Sequence, residues 1–237
     1  GQKELAAGVY RTIQRKKNLF IQAPTGVGKT ITTVFPAVKA VGEGLGDRIF
    51  YLTAKTVTGT VAWETFDQLR RQGYQAKLIQ ITAKEKMCLC AEMECNPVHC
   101  PYARGHYDRV NDAVFGLLQK EDFFTREVLL EQAREYQVCP FEMSLDVASW
   151  VDDIICDYNY VFDPNVYLKR FFAEGIRGDY IFLIDEAHNL VERSREMYSA
   201  TLRKEDLLAV RKIMKRYQPK LDKDFNKCNR ILLDYKR

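Results

Sequence analysis

The sequence predicts an α/β protein built on a parallel sheet, interrupted by a cysteine-rich insertion and completed by a helical C-terminal part. Short runs of apolar, β-branched and aromatic residues alternate with helix-sized segments between residues 18 and 82, and that βαβαβ order is the order of a parallel sheet. A glycine-rich turn, ending Gly28-Lys29-Thr30, joins the first run to the first helix. A last apolar run, 180–185, ends in adjacent acids, Asp185 and Glu186.

Strands are expected at 18–23, 48–54, 76–82, 153–158 and 180–185, each short, apolar and bounded by polar or turn residues. A helix at 30–41 stops before Gly42, Gly44 and Gly46, and a second at 61–71 stops before Gly73; glycine past the last turn supplies the left-handed cap. From 83 to 150 the alternation breaks, and helices are expected at 107–120, 125–135 and 143–150. Beyond Asn189 the pattern is helical, with Leu202, Leu207, Val210, Ile213 and Met214 on one stripe and Ile231, Leu232 and Tyr235 on another. The expected organisation is an α/β domain from 1–82 and 151–190, an insertion at 83–150 and the start of a helical domain at 191–237.

A chain of 237 residues that is 46% hydrophobic and 29% charged can bury a real core, which excludes disorder as its main state. Its longest apolar runs, such as 49–52 and 181–184, fall far short of the roughly 20 residues that cross a bilayer. No membrane partner is expected. The chain opens on Gly1 with no signal-peptide pattern, so a cytoplasmic piece of something longer is expected. The net charge of +4 is uneven: residues 203–237 hold twelve Lys or Arg against five Asp or Glu, about +7, leaving about −3 on the first 202. A basic end of this kind can attract nucleic acid, though a solvated helical face with scattered lysines is the commoner reading.

Ala23-Pro24-Thr25-Gly26-Val27-Gly28-Lys29-Thr30 fits a phosphate-binding loop between strand and helix, with alanine where the general pattern has glycine. Gly26 and Gly28 let backbone N–H groups and the helix N-terminus face phosphate oxygens. Lys29 would reach the terminal phosphates, and Thr30 would offer its hydroxyl to Mg²⁺. The second half of such a site is the run 181–188, in which a strand delivers Asp185-Glu186-Ala187-His188 to the edge where open α/β sheets bind ligands. Asp185 is expected to hold the Mg²⁺ shell, Glu186 to orient or deprotonate the attacking water, and His188 to couple the site to a partner domain.

These motifs resemble those of superfamily 2 helicases of the DEAH type. That resemblance implies ATP as the nucleotide, Gln2 as the residue that recognises adenine, and 51–56 as a segment touching a bound strand through Thr53, Lys55 and Thr56. Tyr158, Asn159 and Tyr160 add aromatic faces and an amide at a strand end, where stacking on single-stranded nucleic acid competes with an ordinary core role; Tyr158 and Asn159 are the candidates carried forward.

Seven cysteines, five of them between Cys88 and Cys139, do not look like a secreted disulfide framework. Cys88, Cys90, Cys95 and Cys100 fall within thirteen residues, and Cys100-Pro101-Tyr102 is echoed by Cys139-Pro140-Phe141. Four thiolates from this set suit either an iron–sulfur cluster or zinc; the wide spacings favour iron–sulfur. Cys156 in a strand and Cys228 on a helix read as core or surface thiols.

A cysteine-rich insertion at this place in such a motor resembles the XPD and DinG family of iron–sulfur DNA helicases, most of all its bacterial DinG-like branch. The resemblance implies a RecA-like P-loop NTPase fold with an arch-like helical part and a [4Fe-4S] cluster on Cys88, Cys95, Cys100 and Cys139, with Cys90 as the alternative to Cys88. It further implies ATP-driven translocation on single-stranded DNA with 5′ to 3′ polarity, unwinding at duplex junctions, and a nucleoid-associated place in a bacterial cytoplasm. A second motor domain of the same full-length chain is the expected partner, without which the piece itself would be weakly active. A rival reading is a nucleotide-switched nucleic-acid-binding module with structural zinc.

Overall fold

The structure, a computed structural model, describes residues 1–24, 28–54 and 56–235, apart from the side chains of 56–58. Contacts divide the chain into two compact units, Gly1–Glu192 and Arg193–Arg237.

The first unit opens with α1 (Gln2–Gln14), and α2 (Lys29–Gly42) follows the phosphate loop. The chain then alternates through β1 (Arg48–Thr53), α3 (Thr56–Arg71) and β2 (Leu78–Gln80). The insertion contributes α4 (Lys84–Met87), α5 (His106–Lys120), β3 (Phe123–Phe124), α6 (Arg126–Tyr136) and α7 (Pro140–Ala148). After it come β4 (Asp153–Asp157), the short α8 (Asn159–Phe162) and α9 (Lys169–Phe172), and β5 (Tyr180–Ile184). Among the described residues the strands form one parallel sheet in the order β3-β2-β4-β1-β5.

Burial explains which strands form. In β1 every residue from Ile49 to Thr53 is buried, as expected of a central parallel strand covered on both faces. Val34, Ala37 and Ala40 of α2, Ala62 and Phe66 of α3, and Ile49, Tyr51, Leu78 and Ile155 of the sheet make the main core, with Tyr10 and Ile13 of α1 packed against it. On the opposite face Phe50 lies 5.2–5.5 Å, centroid to centroid, from the rings of Phe171, Phe172, Tyr180 and Phe182.

The strand expected at 18–23 does not form. Those residues take no regular structure, and Phe20 is 92% exposed. An apolar run becomes a strand only where a neighbour accepts its backbone N–H and C=O groups, and this one lies in no ladder of the sheet. It is tied at its flanks instead, by Lys16 Nζ to Asp179 Oδ2 at 2.8 Å and by Lys29 Nζ to Glu186 Oε1 at 3.7 Å.

The insertion is also less separate than 83–150 suggests. Phe123 and Phe124 pair with Leu78 and Ile79, adding an edge strand to the motor sheet. Lys77 Nζ secures that junction through the carbonyls of Leu118 (2.8 Å) and Glu121 (2.9 Å) and the carboxylate of Asp122 (2.6 Å). Within the insertion Gln132 Nε2 donates to the Ala113 carbonyl at 2.8 Å, joining α6 to α5.

The second unit takes in most of α10 (Leu190–Met197), then α11 (Lys204–Tyr217) and α12 (Asp222–Asp234). Arg211 Nε on α11 bonds Asp222 Oδ1 at the start of α12 at 2.8 Å. No helix among the described residues is long and apolar enough to cross a membrane.

Candidate nucleotide and metal sites

Gly28 caps α2 with φ 72° and ψ 36°, in the left-handed region that glycine enters at no steric cost. A Cβ at this position would lie 2.8 Å from Nε2 of Gln2, so α1 places the Gln2 amide directly against the phosphate loop. Lys29 and Thr30 open α2, where unpaired N–H groups and the helix dipole favour an anion. Ala23 is half-buried and Pro24 exposed on the approach. Thr25, Gly26, Val27 and Lys55, and the side chain of Thr56, lie outside the described residues.

The acidic half comes from the end of β5. The Asp185 N–H donates to the Leu52 carbonyl at 3.0 Å, continuing the ladder with β1 by one step. Its carboxyl and the Thr30 hydroxyl both lie close enough to the Tyr51 hydroxyl to act on its titration. One buried phenol therefore lies between the two residues expected to hold Mg²⁺. Burial, and then the charge of Glu186, push the Asp185 carboxyl above the usual range, while Lys29 and Tyr51 pull it back. Sequence reasoning missed Tyr51, because a tyrosine inside an apolar strand reads as core.

Glu186 has φ 49° and ψ 43°. Its carboxylate lies 3.7 Å from Lys29 Nζ and 3.4 Å from His188 Nδ1. Lys29, Glu186 and His188 thus form a chain of charged and titratable groups beside the Asp185 carboxyl.

Thr53 and Asn159 line a cavity of about 750 Å³ at the C-terminal edge of the sheet, together with Gln80, Lys84, Phe141 and Tyr160. Tyr158 does not join them as a stacking platform. It is 0% exposed, and its hydroxyl donates to the carbonyls of Asp185 and Glu186; a ring with no open face cannot stack on a base.

All seven cysteines are free. Cys90 Sγ lies 3.8 Å from Cys100 Sγ, with Cys88 also nearby; burial and these neighbours push its thiol up to about 11. Lys84 bonds Cys95 and feels the charge of Cys139. Cys139 caps α7 just ahead of Pro140, and its N–H donates to Nδ1 of the buried His106 at 3.2 Å. The donor chemistry is that of a thiolate-rich metal site, with two of the thiols already in contact. Among the described residues, though, no three His, Cys, Asp or Glu side chains converge as metal ligands. Cys156 is buried in β4, where burial pushes its thiol up, and Cys228 is exposed.

Residues 68–207 match the DEAD_2 family, and residues 3–99 match the DEAD/DEAH box helicase family. The chain is 22% identical to regulator of telomere elongation helicase 1 of Homo sapiens over 87% of its own length and 21% of that protein's. It is 19% identical, over 100% of its length and 35% of the other's, to the general transcription and DNA repair factor IIH helicase subunit XPD of Arabidopsis thaliana. A solved XPD helicase structure superposes on 94% of the chain with TM-score 0.63 at 20% identity, and a truncated XPD on 98% with TM-score 0.63 at 18% identity. The chain spans about a fifth of the length of the telomere elongation helicases that it matches.

Proposed function

The chain belongs to the DEAD_2 family, and on that premise we propose that it is the first motor domain of an ATP-dependent DNA helicase. The observation that carries this is the meeting of the two halves of the site: Lys29, at the head of α2, stands 3.7 Å from Glu186, just past the end of β5. Lys29 and the N-terminus of α2 bind the terminal phosphates, and Gln2 reads the adenine. Thr30 and Asp185 hold Mg²⁺, which when bound neutralises charge on the phosphates. Glu186 orients a water in line with the γ-phosphorus and takes its proton; a new P–O bond forms to that water as the bond to ADP breaks. His188 holds the far side of the Glu186 carboxylate.

Single-stranded DNA runs over the C-terminal edge of the sheet past Thr53 and Asn159, with 5′ to 3′ polarity, and a second motor domain completes the ATP site. Cys88, Cys95, Cys100 and Cys139 would hold a [4Fe-4S] cluster, which when bound would supply a rigid anchor for the insertion. Zinc is the second reading, favoured by one distance: thiolates on a tetrahedral zinc with bonds of about 2.3 Å stand about 3.8 Å apart, the Cys90–Cys100 separation of 3.8 Å.

The test is ATP hydrolysis and forked-duplex unwinding by the longer protein, compared with its Lys29→Ala and Glu186→Gln variants. DNA-stimulated hydrolysis that both variants abolish, with unwinding of the 5′-tailed fork, is the expected result. Nucleotide-dependent DNA binding without turnover would instead establish the rival binding module.

A further inference from the structure

We propose that Tyr158 is a positioning residue for Glu186, an inference that rests on the reading of Glu186 as the residue that activates water. Glu186 is one of only three non-glycine residues with positive φ among those described, at φ 49° and ψ 43°, a backbone region that L-residues enter at a cost. Something must hold it there, and the donors that do so converge on one carbonyl. The Glu186 oxygen accepts from the Tyr158 hydroxyl at 3.1 Å, from the Asn189 N–H at 2.9 Å and from Asn189 Nδ2 at 3.1 Å. The same Tyr158 hydroxyl shares its proton with the Asp185 carbonyl, so the two peptide groups that flank the Glu186 Cα are tied by one side chain.

The geometry gives this clamp a direction. Tyr158 follows the end of β4, and β1 lies between β4 and β5 in the sheet. The Tyr158 side chain and its hydrogen bonds therefore link the end of β4 to the end of β5, two strands away. Tyr158 is 0% exposed, so its own position is fixed by packing on all sides. The left-handed turn at Glu186 sends its carboxylate toward Lys29 and His188, at 3.7 and 3.4 Å. With the clamp loosened, the 185–186 link can relax to the right-handed or extended region, which swings the carboxylate out of line. Asp185, whose N–H is already held by Leu52, and Lys29, on another element, would stay. Tyr158 therefore governs the chemical step more than nucleotide binding.

The experiment uses the longer protein and measures kcat and KM for ATP in the presence of single-stranded DNA, for wild type, Tyr158→Phe, Asn189→Ala and Glu186→Gln. The Phe variant keeps the ring and loses only the hydroxyl. A fall in kcat of tenfold or more with KM for ATP within twofold of wild type is expected, and a smaller fall of the same kind for Asn189→Ala, which removes one side-chain donor. If Tyr158→Phe fails to fold, Asn189→Ala decides: an unchanged kcat, or kcat and KM shifted together, overturns the proposal. Hydrolysis abolished in Glu186→Gln but unaltered in Tyr158→Phe overturns the positioning role alone. Hydrolysis that survives Glu186→Gln overturns the reading of Glu186, and the positioning role with it.

Discussion

Asp153 offers a test of the fold that depends on a single proton. It opens β4 in register with Ile49 and Leu78, is 1% exposed, and accepts a hydrogen bond on Oδ2 from the Tyr74 hydroxyl at 2.8 Å. Oδ1 has no hydrogen-bond partner among the described residues. Burial pushes its carboxyl up to about 8, with the Tyr74 bond opposing and Asp152 adding to the rise. In the unfolded chain the same group titrates near 4. The folded state therefore holds a proton between these limits that the unfolded state has released, and the associated stability is complete below about pH 4 and declines as pH rises toward 8. The slope is about 1.4 kcal/mol per pH unit, roughly 4 kcal/mol between pH 4 and pH 7. Asp153→Asn keeps an acceptor for Tyr74 and has no proton to release. Urea unfolding of both proteins at pH 5, 6 and 7 should show the Asn variant gaining on wild type by about 3 kcal/mol across that range, whatever its fixed offset. A difference that stays constant with pH would refute the reasoning.

Three further outcomes follow from other parts of the structure. Phe50→Ala removes the hub of the aromatic cluster under α9, from a residue that is fully buried; a loss of about 3–5 kcal/mol in urea unfolding is expected. Tyr51→Phe breaks the hydroxyl link between Thr30 and Asp185, so hydrolysis by the longer protein should need several-fold more Mg²⁺ for half-maximal rate, with unchanged thermal stability. For the cysteines, metal analysis of anaerobically prepared protein should find bound metal lost in Cys139→Ser, Cys100→Ser and Cys88→Ser and retained in Cys90→Ser; loss in Cys90→Ser with retention in Cys88→Ser would exchange Cys90 for Cys88 in the ligand set.

What the sequence made legible tracks how local each signal is. β1 and β4 were readable because a strand covered on both faces must be apolar along its length, and β5, an edge strand with Phe182 and Ile184 exposed, from its β-branched and aromatic composition; 48–54, 153–158 and 180–185 overlap them closely. The helices at 107–120 and 125–135 were readable from their apolar stripes, and Thr125 caps α6 by accepting from the Val128 N–H at 3.3 Å. The run at 18–23 misled because its composition is that of a strand, while pairing is decided by a neighbour that composition does not report. Phe123 and Phe124 were invisible for the opposite reason: two residues carry no periodicity, and only the place of β2 makes them a strand. Tyr51 and Tyr158 fail in a third way. Their rings are core, as an aromatic in or beside an apolar strand should be, but their hydroxyls reach across the sheet to the acids, and a side chain's far end belongs to the tertiary structure.

The phosphate loop shows how such non-local contacts take over where the sheet does not reach. Its leading segment gains nothing from a ladder, and the Lys16–Asp179 pair at its base, 70% and 63% exposed at the two side chains, contributes little in water. Lys29–Glu186 is a better-shielded pair, but a triphosphate would compete with Glu186 for the same ammonium group. Neither ion pair can be what fixes Gly28 at the head of α2. What remains is the packing of α1 against α2 through Tyr10 and Ile13 on the core side and the contact of Gln2 with Gly28, so close that a Cβ at Gly28 would stand 2.8 Å from the amide. Gly28 is thus set by helices on both sides of it, and the residue expected to read the base, Gln2, stands directly against it.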